Sequence, residues 1–193
     1  MTTETVITIR TERTPNPNSL KYNVGKVLIP GGSANFPTAE SAGRSPLAKR
    51  MYSVPGVTGV FIGSDFITIT KEEGIDWPTI NAGLGPQLEQ FFEGAEPVLD
   101  AVQHATHVKE IGSETADPEF VKNIKQVLDE KVRPAVAQDG GDITYRGFEN
   151  GIVYLEMQGS CSGCPSSSAT LKSGIENMLK HYFPEQVQEV RAI

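Results

Sequence analysis

The 193-residue chain is poor in cysteine, histidine and tryptophan, with two, three and one of them. Two cysteines are too few for the disulfide framework of a small secreted domain, which spreads four or more along its length. Here they are Cys161 and Cys164, separated by two residues. A disulfide between them would close a very small loop and add little stability. Long apolar runs are also missing, and no stretch approaches the roughly 20 residues that cross a bilayer as a helix. Runs of lysine and arginine are missing too, and the formal net charge is -7. A chain of that sign repels polyanions, so neither nucleic acid nor a membrane surface is an expected partner. The segment Met1 to Arg10 carries Glu4 and reads as a strand, without the features of a signal peptide or an Arg-rich transit peptide. The expected location is cytoplasmic, with a processed organellar form as the other reading. There is no G-x-S-x-G, no P-loop and no histidine near the cysteines in sequence, so no catalytic residue is assigned and a non-enzyme is expected.

Glycine and proline, by contrast, are plentiful, at nineteen and thirteen, and they punctuate the chain into short elements. The pattern predicts an α+β fold with two small α+β domains, at 1–94 and 117–193, joined by a linker at 95–116. In the first domain, Val6, Ile7 and Ile9 suggest an opening strand and Leu20 to Ile29 its return. Ser45-Pro46 reads as an N-cap with proline at the first helical position. Val57 to Ile62 and Phe66 to Lys71 flank Gly63-Ser64-Asp65 as a hairpin, and Trp77-Pro78 opens a second helix. In the second domain Asp117-Pro118 begins a helix, with Phe120, Ile124, Val127, Leu128 and Val132 at helical spacing. Pro134 should kink or restart it. Two strands follow around Asn150-Gly151, a strong hairpin signal, and then a helix with Leu171, Ile175, Met178 and Leu179 on one stripe. Val187 to Ile193 reads as the last strand. The expected order is helix, strand, strand, helix, strand, around a three-stranded sheet.

Chemistry concentrates at Gly159-Ser160-Cys161-Ser162-Gly163-Cys164-Pro165. Thiolates select zinc, copper(I) or iron–sulfur clusters. Two cysteines in C-x-x-C spacing let both sulfurs face one metal centre, and Gly163 permits the tight turn between them. The amides that follow Pro165 begin a helix, whose positive end favours thiolate over thiol. Iron–sulfur clusters usually take four cysteine ligands and one chain offers two, so two chains would complete the set. Two other readings stay open at this point: a thiol–disulfide oxidoreductase, and a structural zinc site bridging a dimer.

The surrounding residues narrow the choice. Val132-Arg133-Pro134, Gln138-Asp139-Gly140-Gly141-Asp142 and the run Gly159 to Glu176 resemble the C-terminal domain of the NifU-like (Nfu) family. Arg13-Thr14-Pro15-Asn16-Pro17-Asn18-Ser19-Leu20-Lys21, Ser45-Pro46-Leu47-Ala48, Gly63 to Thr68 and Asp76-Trp77-Pro78 resemble the family's N-terminal domain. The resemblance implies an iron–sulfur cluster scaffold or carrier. It implies a [4Fe–4S] cluster held between two subunits by Cys161 and Cys164, received from upstream assembly machinery and passed to apo iron–sulfur proteins. A homodimer is then expected when the cluster is loaded. The segment Phe183 to Val187 is slightly longer than the family's usual turn.

Other polar residues have plainer readings. Asp139 and Asp142 flank two glycines and read as a helix end and turn. His104 and His107 fall in the linker without a ligand cluster around them, and His181 lies in the last turn of its helix, where a cation suits the dipole. Trp77 reads as a packing anchor. Thr14 to Asn18 reads as a rigid turn or a partner-facing loop.

Overall fold

The computed structural model describes residues 9–94, 96–100, 111, 118–162 and 165–193. The chain divides into two compact units, Met1–Val102 and Gln103–Ile193, and each is α+β.

Among its described residues the first unit is a five-stranded antiparallel sheet carrying two α-helices and a short 3-10 turn at Glu40–Arg44. Its strands are β1 (Arg10–Arg13), β2 (Ser19–Asn23), β3 (Ala34–Phe36), β4 (Val57–Ile62) and β5 (Phe66–Lys71), in the order β1-β2-β5-β4-β3. Helix α1 (Pro46–Tyr52) and helix α2 (Trp77–Glu93) complete it. Phe36, Leu47, Met51, Ile62, Ile67, Ile69, Ile80 and Leu84 are fully buried between the two layers. Both helices start on a side-chain cap with proline in the first turn. The Ser45 hydroxyl accepts from Ala48 N–H at 3.0 Å and donates to the Val98 carbonyl at 2.6 Å. The Asp76 carboxylate accepts from Thr79 N–H at 3.0 Å. The β4–β5 hairpin turns at Gly63, where a Cβ would lie 2.4 Å from the Phe66 ring.

Two expectations for this unit change. The predicted return strand from Leu20 to Ile29 ends at Asn23. Gly25 takes φ 69°, and the Leu28 and Ile29 amides turn to the Ser64 carbonyl at 2.6 and 3.2 Å. Strand β3 was not anticipated. Three residues are too short to show alternation, and it exists because β4 offers an edge on which Ala34 to Phe36 can pair. Of the expected opening strand, Val6 and Ile7 lie outside the described residues, and Ile9 directly precedes β1.

In the second unit, helix α3 (Pro118–Val127) widens into a π-helical turn at Leu128–Val132 and resumes as α4 (Arg133–Gln138). Pro134 accounts for the change, because it has no N–H to give and crowds the carbonyl one turn before it. Strands β6 (Gly141–Glu149) and β7 (Ile152–Gly159) form an antiparallel hairpin. Asn150 at φ 50° and Gly151 at φ 79° make its turn, both in the left-handed region that a tight two-residue connection requires. Helix α5 (Pro165–Tyr182) then carries the chain over to β8 (Glu189–Ala192), which pairs parallel to β7. The element order and the three-stranded sheet are those expected. Val153, Leu155 and Met157 project from one face of β7 and are buried with Ile124, Leu128, Val136, Ile175 and Leu179.

The edge of β6 carries a bulge at Gly147. Ile111 docks there, donating its N–H to the Arg146 carbonyl at 2.7 Å and accepting from Phe148 N–H at 3.1 Å. Gly147 sits at φ 152°, and a Cβ on it would lie 2.1 Å from the Ile111 carbonyl oxygen. No helix among the described residues is long and apolar enough to cross a membrane.

Candidate functional site

Cys161 lies just beyond the end of β7, on the turn that leads into α5. Gly159 at φ 67° redirects the chain, and Ser162 closes the turn by donating both its N–H (3.1 Å) and its hydroxyl (2.9 Å) to the Gly159 carbonyl. The turn faces a second one, Asp139-Gly140-Gly141, which links α4 to β6. Gly141 pairs with Gly159 across the hairpin.

The Cys161 sulfur occupies the space beside Gly141 that a side chain would need. A Cβ built on Gly141 would lie 2.6 Å from Sγ and 2.7 Å from the Gln158 carbonyl oxygen. Cys161 is only 5% exposed. Ser160 ties the two turns together. Its N–H donates to the Gly140 carbonyl at 3.2 Å, and its hydroxyl donates to the Asp139 carbonyl. Its Oγ also stands 3.9 Å from the Cys161 sulfur.

The 139–141 turn leads into a partly buried ion pair, in which the Arg133 side chain is 37% exposed. Asp142 is 7% exposed and receives the guanidinium of Arg133 as a fork, Nε to Oδ1 at 2.8 Å and Nη2 to Oδ2 at 2.7 Å. Asp142 Oδ1 also accepts from Ile143 N–H at 2.8 Å, while Arg133 Nη1 reaches Asp129 at 3.2 Å. The bond to Asp142 holds the Arg133 pKa above its ordinary value. Two parallel N–H···O bonds of this kind make an arginine–carboxylate contact stronger than a single one. It ties the first residue of α4 to the start of β6.

The electrostatics at sulfur differ from the expectation. A helix start was expected to favour thiolate at the cysteines. In the structure burial pushes the Cys161 thiol up to about 11, the Ser160 contact offsets part of that, and the Asp139 and Asp142 carboxylates add to it. The cause is desolvation, because Sγ is turned against the Gly141 backbone. Cys161 is a soft donor, suited to zinc, copper(I) or an iron–sulfur cluster. Gly140 and Gly141 put no side-chain bulk beside it. Among the described residues no three His, Cys, Asp or Glu side chains gather as a metal site.

Cys164, the second cysteine of the motif, lies outside the described residues, as do His104 and His107. His181 stands in the last turn of α5, with its ring edge-on to Tyr182 at 5.5 Å. Asp139 caps α4 and Asp142 is engaged by Arg133 and a backbone amide, so the turn reading holds for both. Trp77 packs against the first core and donates its Nε1–H to the Pro17 carbonyl at 3.2 Å. The Thr14 to Asn18 segment is a fixed turn. Thr14 Oγ1 bridges the carbonyls of Asn16 and Ser19 at 2.9 and 3.0 Å, the buried Asn16 accepts from Asn18 N–H at 2.9 Å, and Lys71 reaches Asn18 Oδ1 at 3.2 Å. Sequence reasoning did not single out Ser160, Arg133 or Asp142 as site residues. The signal for the pair was an arginine in the last turns of a helix and an aspartate just past its glycine end, nine positions apart.

The model of the NifU-like domain matches residues 124–191, and that of the Nfu/NifU scaffold protein N terminus matches residues 9–95. Over 180 residues the chain is 49% identical to NifU-like protein 4, mitochondrial, of Arabidopsis thaliana, covering 92% of this chain and 63% of the relative. Over 178 residues it is 48% identical to the NFU1 iron-sulfur cluster scaffold homolog, mitochondrial, of Homo sapiens, covering 92% and 68%. The chain thus spans about two thirds of the length of these relatives. A solution NMR structure of a NifU-like protein from Saccharomyces cerevisiae is similar with a TM-score of 0.46 at 29% identity, over 53% of this chain and 92% of that one. The chain belongs to the Nfu/NifU family, with an N-terminal Nfu domain followed by a NifU-like domain.

Proposed function

We propose that this protein is an iron–sulfur cluster scaffold or carrier, with the cluster as its cargo and not as a resident catalytic group. The observation that supports it most is family membership over nearly the whole chain, with a relative named as an iron-sulfur cluster scaffold at 48% identity. Cys161 and Cys164 are the ligands in this reading, and the cargo is a [4Fe–4S] cluster shared by two subunits. Four thiolates are the usual complement of such a cluster and one chain has two cysteines. Loaded protein is therefore a homodimer and cargo-free protein a monomer. A cargo held beyond the end of the sheet's central strand, across an interface that only the cargo closes, is one that an acceptor's own cysteines can take over by ligand exchange. Upstream assembly machinery supplies the cluster, and apo iron–sulfur proteins receive it. The protein works in a reducing compartment, since two closely spaced thiols must stay reduced to serve as ligands. That compartment is cytoplasmic, or mitochondrial as the relatives' names have it.

Anaerobic reconstitution with ferrous iron and sulfide tests the reading. The expected product is brown, contains iron and acid-labile sulfide, and runs in native mass spectrometry as a dimer with about one four-iron cluster per pair. Cys161→Ala and Cys164→Ala should each abolish loading while the circular dichroism spectrum is kept. A loaded monomer overturns the bridging arrangement. A colourless zinc protein, or a colourless protein that reduces disulfides, overturns the scaffold itself.

A further inference from the structure

We infer that Ser160, together with the Arg133–Asp142 pair, is a positioning device for Cys161: it locks the cysteine turn onto the Asp139–Gly141 turn and so sets where the sulfur is presented to an iron–sulfur cargo. The inference rests on the scaffold reading for the nature of the cargo, and on geometry alone for the lock.

Three features meet within a few residues. Ser160 bonds the facing turn twice, through its N–H to the Gly140 carbonyl and through its hydroxyl to the Asp139 carbonyl. Ser160 is itself buried, at 2% exposure, so an alanine there would leave the Asp139 carbonyl short of its partner in a site with little water. The facing turn is tied back to α4, because the Asp142 carboxylate at the start of β6 takes the Arg133 fork, while the adjacent Ile143 amide sets the orientation of that carboxylate. Gly141, held between these two anchors, leaves a gap that Cys161 Sγ fills. The sulfur's place is thus set by backbone-to-serine bonds on one side and by an ion pair on the other. Neither Ser160 nor Arg133 carries a soft ligand atom. Their effect on the cargo is exerted through the position of Cys161.

In this arrangement the cysteine is stowed, and reagents reach it only when the two turns part. The rate of its alkylation in cargo-free protein therefore reports the opening of the lock, as local exchange reports local unfolding. The experiment uses the full chain and four proteins: wild type, Ser160→Ala, Arg133→Gln and Arg133→Lys. Iodoacetamide labelling at fixed pH, read by peptide mass spectrometry so that Cys161 is resolved from Cys164, is paired with thermal unfolding and with anaerobic cluster reconstitution. Ser160→Ala and Arg133→Gln are expected to remain folded and to label Cys161 about tenfold faster, the size that follows from losing one net hydrogen bond from the closed state. Arg133→Lys keeps the charge but loses the fork and should fall between wild type and Arg133→Gln. Loaded Ser160→Ala should show an altered visible absorption spectrum, an altered electron paramagnetic resonance signal once the cluster is reduced by one electron with dithionite, and faster loss of iron. Unchanged labelling of Cys161 in both folded variants, with wild type loading normally, overturns the lock and leaves the scaffold intact. Wild type that takes up no cluster overturns the scaffold reading and with it the cargo half of the inference, whatever the labelling shows. Faster labelling with an unchanged cluster signature confines the device to the cargo-free protein and overturns its role in presentation.

Discussion

At the scale of single residues, Gly141 carries as much of the site as Cys161 does. A Cβ on it would strike two different things: the cysteine sulfur at 2.6 Å and the Gln158 carbonyl oxygen at 2.7 Å. The first is the end of a side chain that rotation can move. The second is backbone in the neighbouring strand, and it can yield only if β6 and β7 separate where they begin to pair. Gly141→Ala should therefore both expel the sulfur and strain the hairpin, at a cost of about 1–3 kcal/mol, the range for forcing extra atoms into a packed site. Urea unfolding of cargo-free protein measures the cost, and iodoacetamide labelling of Cys161 reports the expulsion. A variant as stable as wild type with Cys161 still protected would show that the close contact is not a constraint. Nothing in the sequence marks this contact as such. Gly140-Gly141 reads as a helix end on spacing alone, and only the pairing of Gly141 with Gly159 brings the glycine to the sulfur.

Elements were the most legible level, and the helix starts show why. Ser45-Pro46 announces a cap and Trp77-Pro78 a helix start, and both helices begin there, the second on an Asp76 cap that was not read from the sequence. The two caps differ in setting. Ser45 is fully buried, and its hydroxyl serves the Ala48 amide and the Val98 carbonyl together. Ser45→Ala should cost about 1–2 kcal/mol in thermal or urea unfolding, from one lost cap and one stranded carbonyl. Asp76 is exposed, and hydrogen bonds to Thr79, first from the side chain and then from the backbone N–H, hold its pKa below the ordinary value. A lowered folded-state pKa means that the charged form is preferred by the folded chain. The contribution is complete above the unfolded-state value of about 4 and is lost as pH falls through it toward the folded value. Asp76→Asn keeps a capping oxygen but removes the titration, so the gap in melting temperature between wild type and this variant should narrow below about pH 4. A gap that stays constant across that range would remove the cap's role in acid sensitivity. The elements that sequence did not show are those created by tertiary pairing. Strand β3 exists because β4 has an edge to fill, and β2 stops early because Leu28 and Ile29 find the Ser64 carbonyl. The site divides in the same way: Cys161 and the turn around it were readable from spacing, whereas Ser160, Arg133 and Asp142 act across chain segments that only the fold brings together.

For the whole molecule the question is whether the labour is divided between the units. Both cysteines lie in the second unit, so the first has no thiolate to offer a cluster. One exposed feature held in place is the Thr14 to Asn18 turn, pinned by Trp77 and Lys71, with Pro15 and Pro17 exposed. We propose that this unit serves partner recognition and that residues 103–193 suffice for cargo binding. The second unit has its own core, in which Ile124, Leu128, Ile143, Val153, Leu155, Ile175 and Leu179 are buried together. The place at which it is cut matters. Ile111 makes two backbone hydrogen bonds to the edge of β6, beside a glycine that has no room for a side chain. A fragment that starts at Gly112 loses both bonds and leaves that edge open, whereas one that starts at Gln103 keeps them. With each net backbone bond worth about 0.5–1.5 kcal/mol, the shorter fragment should be less stable by about 1–3 kcal/mol. In a unit this small, that is a large share of the total. Urea unfolding of the two fragments side by side measures the difference, and equal midpoints would show that the Ile111 bridge contributes nothing. The longer fragment should also load iron and sulfide as fully as the whole chain, yet deliver cluster to an apo-acceptor more slowly or less selectively. If it folds but cannot be loaded, the first unit takes part in holding the cargo, and the division fails.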